Sequence, residues 1–475
     1  MTNLLDDFAA AVAKHPDRVA IVDGKGREVT FAQLKERADG FARTWHARGI
    51  RRGDKVLLAM LVDADLYAAL AALWSLGATA VLPEPAMGLA GLRHAARATN
   101  ISAFCSSGLY GLLKWVIPAL WTRRHLRPHG IKGADFDLHT PNDSDVALIS
   151  FTSGTTGAPK AISRSHGFLS AQHRAIAPLL QSSQDERDIV AFPVFVLVNI
   201  ASGRTSILPN WKMSHLDQLS PEQLAAWIAS QNITRALLPP SLCEKLTKAN
   251  VPASLHTVFT GGGPVFPDAL DRLTTSKPDL KIVCVYGSTE AEPIAHLDAA
   301  DISSDDRSAM AKGRGLLVGR PVEDIRLRIR DYEIQVAGAH VNSGYLDPRQ
   351  NVENKVQEGA TIWHRTGDAG YLDDQGRLWL LGRMGSHVSL AGRATFPFSV
   401  EVAVRQWDGV DQCALMSVEN ESYLAISGDT RHETIWQKRA TEFDIDRVVR
   451  VAKMPMDKRH ASKIDRNALQ KMIAS

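Results

Sequence analysis

Short apolar runs and longer stretches of helical period take turns along the chain as far as Gly319, the rhythm of a layered α/β protein. Residues 19–22, 55–61 and 79–82 have the apolar density of buried strands. Between them, residues 30–49 and 67–76 repeat their apolar positions every three or four residues. In the first of these helices Thr30 is placed to cap the N-terminus, and Phe31, Leu34, Ala38, Phe41 and Trp45 fall on one face. The same alternation returns with strands over 146–151, 189–192, 205–208, 235–238, 257–260 and 281–285, and a helix from His166. After Gly319 the texture changes. Residues 325–329, 333–337, 361–364 and 378–381 read as short strands separated by turns, a small all-β unit. Gly382-Arg383-Met384-Gly385 interrupts that pattern. The remainder of the chain reads as a compact α+β region: strands over 388–390, 413–418 and 422–426, a helix over 399–407 and a final helix from Arg466. The pattern predicts an α/β protein with a large N-terminal domain, residues 1–381, and a small C-terminal domain, residues 382–475.

A length of 475 residues fits that division, since one core rarely grows so large. A formal net charge of +3 on such a chain gives no electrostatic case for nucleic acid. Cys105, Cys243, Cys284 and Cys413 are scattered, with no Cys-x-x-Cys pair, which points to reduced core thiols of a cytoplasmic protein. Residues 1–13 are acidic and amphipathic, unlike a secretory leader. One apolar stretch, residues 109–121 with Arg123, Arg124 and Arg127 behind it, is too short to span a bilayer and is interrupted by Lys114 and Pro118. It has two readings: a helix packed on the domain or lining a pocket, or an interfacial anchor making peripheral membrane contact.

Five segments carry candidate chemistry. Thr152, Ser153, Gly154, Thr155, Thr156 and Gly157 precede Lys160: glycines that let backbone N–H groups approach an anion, hydroxyl donors, and a mobile cation. Pro159 and Ala161 replace the glycine and hydroxyl of a Walker A loop, so the loop suits a nucleotide polyphosphate in another geometry. Next, Gly261, Gly262, Gly263 and Pro264 follow a strand and leave room for a flat heterocycle. Tyr286, Gly287, Ser288, Thr289 and Glu290 also follow a strand, offering a ring face, hydroxyls and a hard carboxylate for magnesium. Asp368 closes a predicted strand and can accept two hydroxyl protons, as a ribose needs. Lastly, Lys463 lies in a charged loop near the C-terminus.

In this order and spacing the segments resemble the adenylate-forming superfamily of acyl-CoA synthetases, peptide-synthetase adenylation domains and luciferases, over nearly the whole chain. The resemblance implies two α/β subdomains plus a distorted β-barrel, closed by a mobile C-terminal lid. It implies that Ser153–Lys160 holds the β/γ-phosphates of ATP, that Gly261, Gly262, Gly263, Pro264 and Tyr286 hold adenine, and that Asp368 and Arg383 hold the ribose. Thr289 would meet the α-phosphate, Glu290 the Mg2+, and Lys463 both the carboxylate and the α-phosphate. The reaction implied is activation of a carboxylic acid to an acyl-AMP, followed by transfer to the thiol of coenzyme A or an acyl-carrier protein. Phe195, Val196, Leu197 and Ser241 are the pocket residues implied for an apolar acid. Two departures stand out. Gly385 occupies the hinge position where many members carry aspartate or lysine, and Val196 replaces a histidine or aromatic residue. Val196 and the segment around Lys463 resemble the β-lactone synthetases of bacterial olefin biosynthesis, in which a β-hydroxyl of the acid closes a ring on its own carbonyl. A nucleotide-binding regulator without turnover would have no need of Lys463, Glu290 and Asp368 together. A Rossmann dehydrogenase is disfavoured because Gly313-Arg314-Gly315-Leu316-Leu317-Val318 lacks the third small residue.

Overall fold

Two large sheets organise the molecule, described over residues 3–83, 88–131, 139–152, 159–419, 421–457 and 463–474 in a computed structural model. The smaller has six strands. Arg124–Leu126, Ala103–Ser106, Lys55–Ala59, Thr79–Leu82 and Val146–Thr152 run parallel, and Lys160–Ser165 adds an antiparallel edge. Its strands are apolar on both faces, as parallel strands covered by helices must be; Val56, Leu57 and Leu58 are all buried. The helix Phe31–Ala47 covers one face. Thr30 Oγ1 accepts from the Gln33 N–H, and the Gln33 side chain accepts in turn from the Thr30 N–H, a capping box. The predicted stripe of Phe31, Leu34, Ala38, Phe41 and Trp45 is buried in full.

The larger sheet has fourteen strands. Its parallel half orders Val19–Val22, Thr205–Ile207, Arg187–Val190, Arg235–Leu238, Thr257–Gly261 and Lys281–Ser288 side by side. From Lys281–Ser288 the chain turns back as Ala291–Asp298, and the antiparallel strands Leu316–Pro321, Leu378–Arg383, Thr361–Leu372, Glu333–Ala337 and Arg326–Arg330 continue the same sheet. The small all-β unit is therefore an extension of the α/β sheet, and no pairing among the described residues closes it into a ring. Tyr286–Glu290 accordingly lies at the tip of a β-hairpin, whose second strand, Ala291–Asp298, has no counterpart in the apolar pattern of the sequence. Gly382 and Arg383 continue their strand instead of breaking it.

The last part of the chain forms a hairpin, Val388–Leu390 with Arg393–Thr395, and a three-stranded sheet of Val410–Val418, Glu421–Gly428 and Arg447–Arg450. The helix Phe398–Val404 packs between this sheet and the rest of the molecule, with Phe398 edge-on to Phe266. All four cysteines are buried and free.

Candidate active site

The parallel strands of the larger sheet end at one crest, the position where open α/β sheets take ligands. Gly261 and Val285 are register partners there, and a side chain at Gly261 would collide with the Val285 carbonyl. Gly262 has a φ of +77, and a Cβ on it would press on the Phe192 ring. Gly263 and Pro264 continue this half-buried turn. One residue beyond Val285, the Tyr286 hydroxyl donates to Asp368 Oδ2 at 2.8 Å, and Arg383 donates to Asp368 Oδ1 at 2.8 Å. Asp368 and Arg383 face each other across adjacent strands, which fixes this pair by register. Burial pushes the Tyr286 phenol well above its ordinary value, and the Asp368 charge adds to it, so the hydroxyl stays a donor.

Four residues further on, the hairpin tip holds a second group. Glu290 Oε1 accepts from the Tyr345 hydroxyl at 3.0 Å, and its carbonyl accepts from the Asn342 N–H at 2.7 Å. The Thr289 carbonyl accepts from Arg164 at 2.9 Å. Lys160 donates to Asn354 at 3.0 Å and stands 5.3 Å from the Tyr345 ring centre; Lys355 lies over the same ring at 5.4 Å and donates to the Asn342 carbonyl. Burial holds the Lys355 ammonium down, to about 8, against the attraction of Glu290 and with repulsion from Lys160. His364, packed below, is held neutral by burial and by Lys355, at about 4. Asn342 and Tyr345 come from an irregular connection, and Asn354 and Lys355 from the junction of the short helix Arg349–Asn354 with the strand Lys355–Glu358, so none of the four is apparent from sequence periodicity. Only the turn-forming Asn342-Ser343-Gly344 before an aromatic residue hints at the connection.

Several expected residues stand elsewhere. Ser153, Gly154, Thr155, Thr156 and Gly157 lie outside the described residues; Thr152 ends its strand opposite Lys160. Gly287 is tight, since an added Cβ would meet the Ala291 carbonyl at 2.9 Å, and the Ser288 hydroxyl is buried without a partner. Phe195 lines a small apolar cavity of about 30 Å³ with Ile176, Leu180, Phe192, Phe259 and Val285. Val196 and Leu197 are instead buried in the neighbouring core, and Ser241 opens a helix beside it; none of the three lines this cavity. Residues 109–121 do not line it either. Gly385 is exposed in a turn with φ +78, and nothing lies within 4 Å of a Cβ built on it. Lys463 is exposed, its N–H bonded to Asp457 at 2.8 Å; among the described residues no hydrogen bond or ion pair joins its ammonium to Glu290, Thr289 or Asp368.

The donor set suits a nucleotide with magnesium. Cationic Lys160, Lys355 and Arg383 face one carboxylate at each end of the crest, and an orphaned Ser288 hydroxyl lies between. No cluster of three metal-ligating side chains exists among the described residues. A lone Glu290 therefore fits magnesium, which commonly takes one or two protein carboxylates and completes its shell with phosphate and water.

A crest of this kind, fed by parallel strands and flanked by a carboxylate–arginine pair, is built to take a nucleotide. The sequence pattern of AMP-binding enzymes matches residues 8–346, and the chain belongs to that family of adenylate-forming ligases. It is 28% identical over 433 residues to the olefin beta-lactone synthetase of Stenotrophomonas maltophilia, covering 82% of this chain and 78% of that protein. It is 25% identical to the 2-succinylbenzoate–CoA ligase of Geobacillus kaustophilus, covering 96% and 94%. Among solved structures, o-succinylbenzoate CoA synthetase of Bacillus subtilis with its acyl-adenylate intermediate shares the fold at TM-score 0.80 and 20% identity, covering 99% of both chains. The amide bond synthetase McbA of Marinactinospora thermotolerans does so at TM-score 0.82 and 20% identity, again covering 99% of both. No helix among the described residues is long and apolar enough to cross a membrane.

Proposed function

We propose that this ligase joins an apolar carboxylic acid to AMP at the 261–290 crest, releases pyrophosphate, and then passes the acyl group to a thiol. The observation that carries this reading is the pairing of Tyr286 and Arg383 on Asp368, with Tyr286 four residues from Glu290. In this reading Asp368 accepts the two ribose hydroxyls and Arg383 holds that carboxylate ionised and oriented. Lys160 and Lys355 balance the charge of the polyphosphate. Glu290 holds magnesium, which when bound neutralises phosphate charge and polarises the α-phosphorus. Phe195 and the apolar side chains around the small cavity beside Gly261 part to receive the acid's hydrocarbon portion, placing its carboxylate at the crest. Two anions must meet there, so a further cation at the reacting carboxylate lowers the barrier. Lys463 supplies it when residues 382–475 swing about Gly385, and withdraws to admit the acceptor.

A specific observation favours a second reading of the last step. Val196, where related enzymes carry a histidine or aromatic side chain, is fully buried in the core, leaving no polar group at this position. A similar protein is an olefin beta-lactone synthetase, so closure of a β-hydroxy acid on itself is the alternative acyl transfer. Mass analysis of products separates them, with a simple and a β-hydroxy fatty acid, ATP and magnesium, with and without coenzyme A. A thioester formed only with coenzyme A supports the thiol acceptor, and a dehydrated acid formed without it supports the lactone. If a carrier protein replaces coenzyme A, the acyl group is found on its phosphopantetheine thiol instead. AMP release with none of the acids would contradict both.

A further inference from the structure

The stretch 109–121 neither crosses the domain nor lines the acid's cavity. It folds as three short turns, Gly108–Leu112, Leu113–Val116 and Pro118–Leu120, on the edge of the six-stranded sheet. Leu113, Ile117 and Leu120 point inward and join a core cluster with Phe151 and Ala161. The opposite face is apolar as well. Leu109 is 85% exposed, Trp115 75%, Trp121 60% and Leu112 59%, with Tyr110 and Val116 beside them. An amphipathic helix on a water-facing surface carries polar side chains there, and single exposed apolar residues are ordinary; six within thirteen positions are not.

The surroundings are cationic, with the carboxylate of Asp54 set against Arg124 at 3.6 Å. From residue 85 to residue 131 the chain carries Arg93, Arg97, Lys114, Arg123, Arg124 and Arg127, and neither aspartate nor glutamate. Next to the apolar turns opens a recess of about 550 Å³ lined by Thr44, Arg48, Ser106, His125, Arg127 and His129. Ser106 Oγ and His125 Nε2 share a hydrogen bond of 2.7 Å, and the His125 ring stacks on Phe104 at 4.4 Å, which fixes the imidazole at the recess wall. Cations and hydroxyls at the foot of an aromatic, apolar ridge match the layers of an anionic bilayer surface: phosphate outside, acyl chains within.

We propose that residues 108–129 form a membrane-docking face, whose apolar ridge enters the interface of an anionic phospholipid bilayer while the basic recess takes a lipid phosphate. Tryptophan at headgroup depth and lysine or arginine at the rim are the side chains such an interface favours. Charge complementarity selects the bilayer, because a soluble partner of acidic surface would leave Trp115 and Trp121 without apolar cover. None of the exposed side chains of this face is among those at the nucleotide crest, so the proposal does not depend on which acid is activated.

Co-sedimentation of the full chain with sucrose-loaded vesicles tests it, using phosphatidylcholine alone or with about one-third phosphatidylglycerol. The expected result is binding to the anionic vesicles only, and no release by millimolar inorganic phosphate. Trp115→Asp with Trp121→Asp should weaken it about tenfold or more, and so should Arg48→Gln with Arg127→Gln. These four side chains are exposed, so unchanged melting and unchanged ATP–pyrophosphate exchange with a water-soluble acid serve as the folding control. Absence of binding by the unsubstituted chain overturns the proposal. So does equal binding by the tryptophan variant, which would mean adsorption by charge alone, as an acidic protein would also produce. A dimer in solution that the tryptophan variant dissociates, without vesicle binding, would assign the face to a second copy instead.

Discussion

Asp368 receives two hydrogen bonds from groups that come from different strands, and each has a distinct consequence. Removing its charge leaves Arg383 without its partner and the ribose without its acceptor. Asp368→Asn should raise the KM for ATP about tenfold to a hundredfold, the worth of one or two charged hydrogen bonds, with a smaller change in kcat. Glu290→Gln should instead raise the magnesium concentration needed for half-maximal activity, since the amide keeps the Tyr345 contact but is a poor ligand. A third residue governs stability and not chemistry. His166 opens the helix His166–Ile176, is buried edge-on to Trp74, and burial lowers it from 6.5 to about 4. Its folded value lies below its unfolded one, so the unfolded chain takes the proton first as pH falls. The neutral-ring contribution is complete above pH 6.5 and is lost progressively towards pH 4. At pH 5 the loss is about 2 kcal/mol. Denaturant titrations at pH 7 and 5 should show it, and His166→Gln should reduce the difference.

Among the elements, those with a strong period were legible from residues alone: Arg235–Leu238, Glu333–Ala337 and Val388–Leu390 occur with the expected bounds. Strand Ala291–Asp298 was not, because Pro293 and two acidic residues break its apolar pattern, and tertiary pairing with Lys281–Ser288 decides it. The site divides in the same way. Tyr286 and Asp368 follow apolar strand patterns and could be found, whereas Arg383, read as breaking its strand, followed only from the family resemblance. Tyr345 reaches the crest from a connection whose path no local periodicity fixes, Lys355 opens a polar strand of four residues with no apolar pattern, and Val196 lies one residue, and so about 100° of helix, from Phe195 on the cavity. Two predictions belong here. Phe195→Trp should shorten the longest acid accepted, read as a shift in chain-length preference, because the ring already borders a confined cavity. Gly385→Pro is incompatible with φ +78, since proline holds φ near −65°. If Gly385 is the pivot, adenylate formation and acyl transfer should change by different factors, at least tenfold apart, when assayed separately.

For the molecule as a whole, the proposed reading has the relation of residues 382–475 to the rest decide which half-reaction is performed. Arg405, 4% exposed, donates to Asp268 at 3.0 and 2.8 Å and lies 4.5 Å from the Phe266 ring centre, clamping the last region onto the sheet. Rotation about Gly385 has to break this pair. Arg405→Ala should lower unfolding free energy by about 2–4 kcal/mol, the effect of removing one partner of a buried ion pair. It should also change the ratio of the two half-reaction rates. Lys463 is exposed in the present arrangement, so its proposed role at the reacting carboxylate requires such a rotation.

ATP–pyrophosphate exchange against a panel of carboxylic acids, run with the unsubstituted chain and with Lys463→Ala, measures that claim most directly. Acid-dependent exchange that falls by about a hundredfold or more in Lys463→Ala, with ATP binding retained, is the predicted result. Exchange that survives the substitution undiminished would contradict the account, because the cation that joins acid to nucleotide would then have to come from elsewhere.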